Sequence, residues 1–261
     1  MAVRRQSSGS SREVLFGFHP VTEALAAGRR TIYGLMLDRE KLSERQRRVV
    51  RLADKKGIPW RVQSPDKIRA AAGDSDQHQG IAATVSPLPE ASLSSMAAEN
   101  GQGARDPLVV LLDGIVDPNN LGAIVRTAHC AGAAGLVIPK DRATGATPVV
   151  SRISAGALEH IPLCRVTNLV GSIQWLKKRN FWVAGLAMEG KQTVFQADLK
   201  GPLALVIGGE GKGLRPLVRK HCDYLVSIPL RGRVDSLNAS AAAAVVLYEA
   251  VRQRQVSAPP P

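Results

Sequence analysis

Leu203-Ala204-Leu205-Val206-Ile207-Gly208-Gly209-Glu210-Gly211-Lys212-Gly213 is an apolar run that breaks into glycine. Five consecutive apolar residues read as a strand buried on both faces, and the loop that follows lies at its C-terminal end, where open α/β sheets place their ligands. Glycine at four of six loop positions lets the backbone take positive φ or approach a bound group closely. A glycine-rich surface turn would have the same composition, so the downstream sequence has to decide. After a turn at Leu214-Arg215-Pro216 comes a second strand with a proline stop, Asp223-Tyr224-Leu225-Val226-Ser227-Ile228-Pro229-Leu230, and then Val234-Asp235-Ser236-Leu237-Asn238 entering a long small-residue helix. Two nucleotide motifs fail on the glycine loop. Lys212 is followed by Gly213 and not by the hydroxyl that a Walker A loop offers to magnesium, and the loop follows the fifth strand of its region, where the dinucleotide fingerprint requires the first.

Upstream, short apolar runs alternate with helical patterns: strands at 108–112, 136–139, 163–166, 181–187, 203–207 and 225–228, helices around 121–131, from 148, and over 169–179. This alternation predicts a mostly parallel sheet covered on both faces. Its ligand edge would gather three loops, 113–126, 208–213 and 228–238.

The rest of the chain has a different character. Residues 1–12 are polar and serine-rich and predict a disordered basic tail, and a disordered tail is also expected over 256–261. A small α/β unit is expected over 13–86, with a helix starting at or just after Pro20, a strand at 31–37, an amphipathic helix over 42–56 and strands at 58–62 and 80–85. Residues 87–106, rich in Pro, Ser, Gly and Asn, read as a linker. The remainder, 107–255, holds the alternating pattern.

In 261 residues there is room for two ordinary domains, and 44% hydrophobic with 22% charged residues is the composition of a globular protein. Neither a transmembrane span nor a signal-peptide core is read, which predicts a cytoplasmic protein. Cys130, Cys164 and Cys222 are too far apart for a metal or redox pair and are expected as buried reduced thiols. The formal net charge of +13 predicts a polyanionic partner, and the lack of a basic amphipathic helix with aromatic anchors favours nucleic acid over a membrane surface. Between Arg29 and Arg69 stand 13 Lys/Arg against 5 Asp/Glu, an imbalance that predicts an RNA-facing surface on the N-terminal unit.

Three segments, Asp117-Pro118-Asn119-Asn120-Leu121-Gly122-Ala123-Ile124-Val125-Arg126-Thr127-Ala128, then Leu205 to Leu214, then Ile228-Pro229-Leu230 with Ser236-Leu237-Asn238-Ala239-Ser240, closely resemble the three motifs of the SpoU (TrmH) RNA 2′-O-ribose methyltransferases. Gly17-Phe18-His19-Pro20-Val21 and His78-Gln79-Gly80-Ile81-Ala82 resemble the small ribosomal-protein-like (L30e-like) substrate-binding domain of the branch that methylates a guanosine in the P-loop of 23S ribosomal RNA. Where that branch often has Asp-Pro-His-Asn the chain has Asp117-Pro118-Asn119-Asn120, and Phe18 and Pro20 also depart from its pattern.

The resemblance implies a SPOUT fold with a deep trefoil knot, a homodimer, and S-adenosylmethionine as cofactor with no metal. It places the active-site pattern on Asn120, Arg126, Glu210, Ser236 and Asn238, and the cofactor contacts on Gly208, Ile228 and Leu237. Methyl transfer to a ribose hydroxyl needs an in-line approach and removal of a proton. Arg126 is the family's usual base, yet a guanidinium keeps its proton at physiological pH, so a phosphate clamp is the other role open to it. A non-enzymatic RNA-binding protein would need only the charge, and a transfer RNA or another ribosomal site would serve the same chemistry as substrate.

Overall fold

The computed structural model describes residues 12–38, 42–97 and 106–256, divided between two compact units, Met1–Pro89 and Glu90–Pro261. The tails expected over 1–12 and 256–261 lie, except for Arg12 and Val256, outside the described residues.

The first unit runs β1 (Glu13–Phe16), α1 (Phe18–Ala27), β2 (Ile32–Leu37), α2 (Glu44–Lys55), β3 (Trp60–Val62), α3 (Pro65–Ala71) and β4 (Ile81–Val85). Its sheet has the order β1-β4-β2-β3, with β4 antiparallel to both neighbours and β2 parallel to β3. The period of two in the strands sorts the core. Leu15, Leu35, Leu37, Ile81, Ala83 and Val85 share one cluster with Val21 and Leu25 of α1 and Val49 and Ala53 of α2, whereas Phe16, Met36 and Ala82 pack with Ile68 of α3. Ser43 opens α2 with a reciprocal capping box to Gln46, whose amide also donates to Asp38 at 2.9 Å.

Two features here depart from expectation. Helix α1 begins two residues before Pro20, because its N-terminal turn is capped from a distance: Gln79 Oε1 accepts the Phe18 N–H at 3.1 Å. Strand β1 is unforeseen, being four residues beside a polar tail and paired only with β4. Together these bonds seat the two N-terminal motifs against each other, with the Gly17 N–H donating to Ile81 O at 3.1 Å.

The second unit opens with α4 (Leu93–Ala97) and continues β5 (Leu108–Asp113), α5 (Pro118–Cys130), β6 (Gly135–Pro139), α6 (Pro148–Ile153), β7 (Leu163–Val166), α7 (Leu169–Lys177), β8 (Trp182–Leu186), β9 (Gln192–Thr193), β10 (Leu203–Gly208), α8 (Pro216–His221), β11 (Tyr224–Ser227) and α9 (Ala239–Val256). The sheet order is β7-β6-β5-β10-β8-β11-β9, and every pairing is parallel. Every residue of β5 is buried, as a strand covered on both faces must be. On one face Val109, Leu111, Val137, Val183 and Val206 meet Ile173 and Leu176 of α7, Val218 of α8 and Met96 of α4. On the other, α5 packs against α6 and α9, and α9 against β10.

The expected linker over 87–106 is corrected in part. The Ala91 N–H donates to Leu163 O at 3.0 Å, and Met96 is fully buried in the core. Leu93 and Met96, three apart on one helical turn, give this serine-rich stretch an apolar side to bury. Pro216, read as part of a turn, is instead the first residue of α8, where its missing N–H costs nothing. Of the three cysteines only Cys164 is buried; Cys222 is half-buried and Cys130 is exposed at the end of α5. Burial pushes the Cys222 thiol up to about 12 and raises that of Cys164. No helix of the described residues is long and apolar enough to cross a membrane.

Candidate active site

Because β5, β10 and β11 run parallel, their C-terminal ends Asp113, Gly208 and Ser227 lie on one edge of the sheet. The glycine loop leaves β10 there and closes on itself, with a bridge between Gly209 and Gly213. Two of its glycines are required by close approach: a Cβ on Gly208 would stand 2.3 Å from the Gly213 carbonyl carbon, and one on Gly209 would stand 2.5 Å from Gly114 O. Neither obstacle is a movable side chain.

Asp113 fixes this loop to the end of β5. Its fully buried carboxylate accepts from the Arg215 N–H at 2.8 Å and from Arg215 Nε at 2.6 Å. An acid ending an otherwise apolar strand was the sequence signal for this clamp, and the motif reading passed over it.

Helix α5 starts at the same edge. Asp117 is its N-cap, accepting from the Asn119 N–H at 3.0 Å, and Pro118 follows at the first helical position. That start delivers the buried carboxamide of Asn120 to the glycine loop, where its Nδ2 donates to Glu210 Oε1 at 3.1 Å. Asn238 reaches the same point from the opposite side. Its Nδ2 donates to Asn120 Oδ1 at 2.8 Å and to Glu210 Oε1 at 2.5 Å. Its Oδ1 accepts from the Ser240 N–H at 2.9 Å and from Ala241 N–H at 3.3 Å, the bonds of an N-cap for α9. One side chain therefore both starts α9 and completes the Asn120–Glu210–Asn238 group.

Beside this group lies a cleft of ≈ 370 Å³ whose walls include Gly208, Glu210, Ile228, Ser236 and Leu237. Leu186, Ile207 and Leu230 add apolar surface, and Asp235 adds a second carboxylate. Seven of the eight residues picked out by motif thus fall in the cleft or the hydrogen-bonded group. Arg126 stands apart. It is exposed, and it lies six residues beyond Asn120 on α5, about 240° further round a helix at 100° per residue. Exposed Arg231 and Arg233, in the segment between Ile228 and Asn238, add positive charge that the motif reading did not use. Among the described residues no group of three or more His, Cys, Asp or Glu is placed to hold a metal ion.

Comparison with known proteins agrees with this division into two units. Residues 107–248 match the SpoU rRNA Methylase family, and residues 14–91 match the RNA 2′-O ribose methyltransferase substrate-binding family. The two matches define an RNA methyltransferase that carries its own substrate-binding unit. The chain is 41% identical to a 23S rRNA (guanosine-2′-O-)-methyltransferase RlmB of Ralstonia nicotianae, over 95% of this chain and 98% of that one. Among solved structures it is similar to the SpoU methyltransferase AviRb of Streptomyces viridochromogenes in complex with AdoMet, at 30% identity and a TM-score of 0.79, covering 98% of this chain and 96% of that one. An AdoMet-bound rRNA methyltransferase of Sinorhizobium meliloti aligns at 26% identity with a TM-score of 0.75, over 92% of this chain and 87% of that one. The chain belongs to the SpoU rRNA methylase family. It is an S-adenosylmethionine-dependent RNA methyltransferase with an α/β fold built on a parallel sheet.

Proposed function

We propose that the protein methylates the ribose 2′-OH of a guanosine in 23S ribosomal RNA, the reaction named for its relatives at about 40% identity. The observation that carries this reading is the Asn120–Glu210–Asn238 group at the side of the cleft. The cleft suits S-adenosylmethionine: its volume is that of a small-ligand site, Leu186, Ile228 and Leu237 offer an apolar slot for a purine, and Glu210 and Asp235 offer negative charge to a cation. The backbone of the glycine loop, bare of side chains at Gly208, forms one wall. Bound there, the cofactor supplies a methyl group on a sulfonium.

The chain's own residues hold and orient the nucleotide. Glu210, held by two carboxamides on one oxygen, keeps Asn120 and Asn238 oriented toward the ribose, and Ser236 closes the pocket from the side of α9. Arg126 serves as the phosphate clamp that brings the 2′-OH into line, a role suited to a planar, permanently charged donor. Its exposure and its distance round α5 from Asn120 support a contact with RNA.

The finer architecture belongs to the same proposal. The chain leaves β11 on the far side of β8 and returns to set Asn238 against Asn120 on α5, which supports a trefoil knot through the glycine loop. Alanine-rich α9 with its half-exposed Tyr248 supports a homodimer. The four-stranded sheet with α1 and α2 on one face and α3 on the other supports an L30e-like RNA-binding unit over residues 13–86. A ribosomal RNA substrate sets the reaction in the cytoplasm.

Arg126→Ala tests the reading. Methyl incorporation from S-adenosylmethionine into 23S rRNA should be lost, while cofactor affinity measured by calorimetry stays within about twofold, a shift of roughly 0.4 kcal/mol. Loss of cofactor binding would make Arg126 a structural residue and sink its assignment to the RNA.

A further inference from the structure

The N-terminal unit carries a hollow of ≈ 360 Å³ lined by Arg12, Tyr33, Gly34, Pro59, Trp60 and Arg61. It opens beside β3, the last strand of its sheet, in which all three residues are exposed. Trp60, 39% exposed, is fixed in place by its Nε1–H, which donates to Asp54 Oδ1 at 3.1 Å. Tyr33 stands where the register of β2 against β4 slips, between Ile32 and Gly34, the kind of irregularity that re-aims a side chain. The Arg12 guanidinium lies over its ring, 4.6 Å from the centroid. Gly34 contributes no side chain to the floor, where a Cβ would already press on Pro59 O at 3.3 Å.

An aromatic ring on the edge strand β3 and another on its neighbour β2, interleaved with arginines around a small concavity, match what an unpaired nucleotide needs. Bases outside a duplex are recognised by stacking on aromatic side chains or guanidinium planes, with cationic groups on the adjoining phosphates. We infer that this hollow receives one unpaired nucleobase of the RNA substrate, held against the rings of both Tyr33 and Trp60, with Arg12 and Arg61 on its flanking phosphates. A paired base, held in its helix, cannot enter. The inference rests on the reading of the chain as an RNA-modifying enzyme, and it adds a place on the N-terminal unit where that enzyme feels single-strandedness.

The full-length protein tests it by fluorescence anisotropy with two labelled RNAs of equal length, a hairpin with an unpaired loop and a blunt duplex. Wild type should prefer the hairpin. Tyr33→Leu and Trp60→Leu should each weaken hairpin binding about tenfold and leave duplex binding unchanged, since stacking acts on the unpaired base alone. Tyr33→Phe, which keeps the ring, should bind as wild type, and Arg61→Gln should flatten the dependence of log K on log salt by about one. Calorimetric affinity for S-adenosylmethionine should stay constant throughout. Equal binding of the two RNAs by wild type, or hairpin affinity unchanged in Tyr33→Leu, overturns the inference. Should Trp60→Leu unfold for want of its bond to Asp54, the Tyr33 pair decides alone. Failure of the catalytic reading would look different: wild type would move no methyl group into any RNA, whatever its preference in binding.

Discussion

Asn238 does two jobs with two ends of one carboxamide, and substitutions can separate them. Its Oδ1 caps α9 while its Nδ2 donates to Asn120 and Glu210. Asn238→Ser keeps a cap of equal rank but is too short to reach the other two side chains, so its stability loss should be that of the hydrogen bonds to them alone, about 1.5 kcal/mol. Asn238→Ala loses the cap as well, at about 1 kcal/mol, which lowers the melting temperature by roughly 2–4 °C in a domain of this size. A hydrogen bond to a charged group contributes about 1.5–3 kcal/mol, and the exposure of Asn238 argues for the lower end. Both variants should therefore lose about tenfold or more in kcat/KM for methyl transfer. Asn238→Asp keeps the cap but sets a second carboxylate against Glu210, so its activity should fall furthest while its melting temperature exceeds that of Asn238→Ala. Calorimetric melting and tritiated methyl transfer read the two effects separately. Full activity in Asn238→Ser would refute the role given to the hydrogen-bonded group, and equal melting temperatures for the Ser and Ala variants would refute the cap.

Three further outcomes are expected. Gly208→Ala forces a methyl group against the Gly213 backbone, an overpacking of about 1–3 kcal/mol, and calorimetry should show S-adenosylmethionine affinity reduced by about tenfold or more; unchanged affinity would mean that the loop is not a wall of the cofactor site. Arg45→Glu with Arg48→Glu, both exposed on α2, should make the salt dependence of RNA binding shallower and leave cofactor affinity alone, and an unchanged slope would remove this helix from the RNA surface. Arg252 donates to both oxygens of Glu249, at 2.8 and 2.7 Å, and holds its carboxyl below the usual carboxylate range. A depressed folded-state pKa contributes stability at neutral pH that is lost as pH falls through it, so the advantage of wild type over Glu249→Gln in melting temperature should shrink on acidification from pH 7 to 3. A constant gap would show that the pair does not titrate with folding.

The strand–helix alternation was legible because strands buried on both faces are continuous apolar runs, and Leu108 to Leu112 and Leu203 to Ile207 are such runs. Once the sheet is parallel, three loops must share one edge, so Asn120, Glu210 and Asn238 could be placed together before any distance was known. What escaped was set by partners remote in sequence. Phe18 is capped by Gln79, Met96 finds its core only when Gly135 and Ile173 are assembled around it, and β1 exists by pairing with β4. The separation of Arg126 from the other site residues follows from its helical phase relative to Asn120, which the motif spacing already contained and which a list of motif positions does not express.

The strand order has a consequence for synthesis. Strands β5, β6 and β7 are neighbours in sequence and in space, but the other edge of β5 is covered by β10, whose Leu203 pairs with Leu108 and lies 95 residues further along the chain. At about 5–20 residues per second a ribosome needs roughly 5–20 s to make that interval. For this time an entirely apolar edge ending in Asp113 has no strand beside it, and such edges template aggregation. Half a sheet must wait, sticky and unpaired, for the segment that also brings the glycine loop. Yield in the cell should thus depend on chaperones that hold nascent chains more than on the stability of the finished fold.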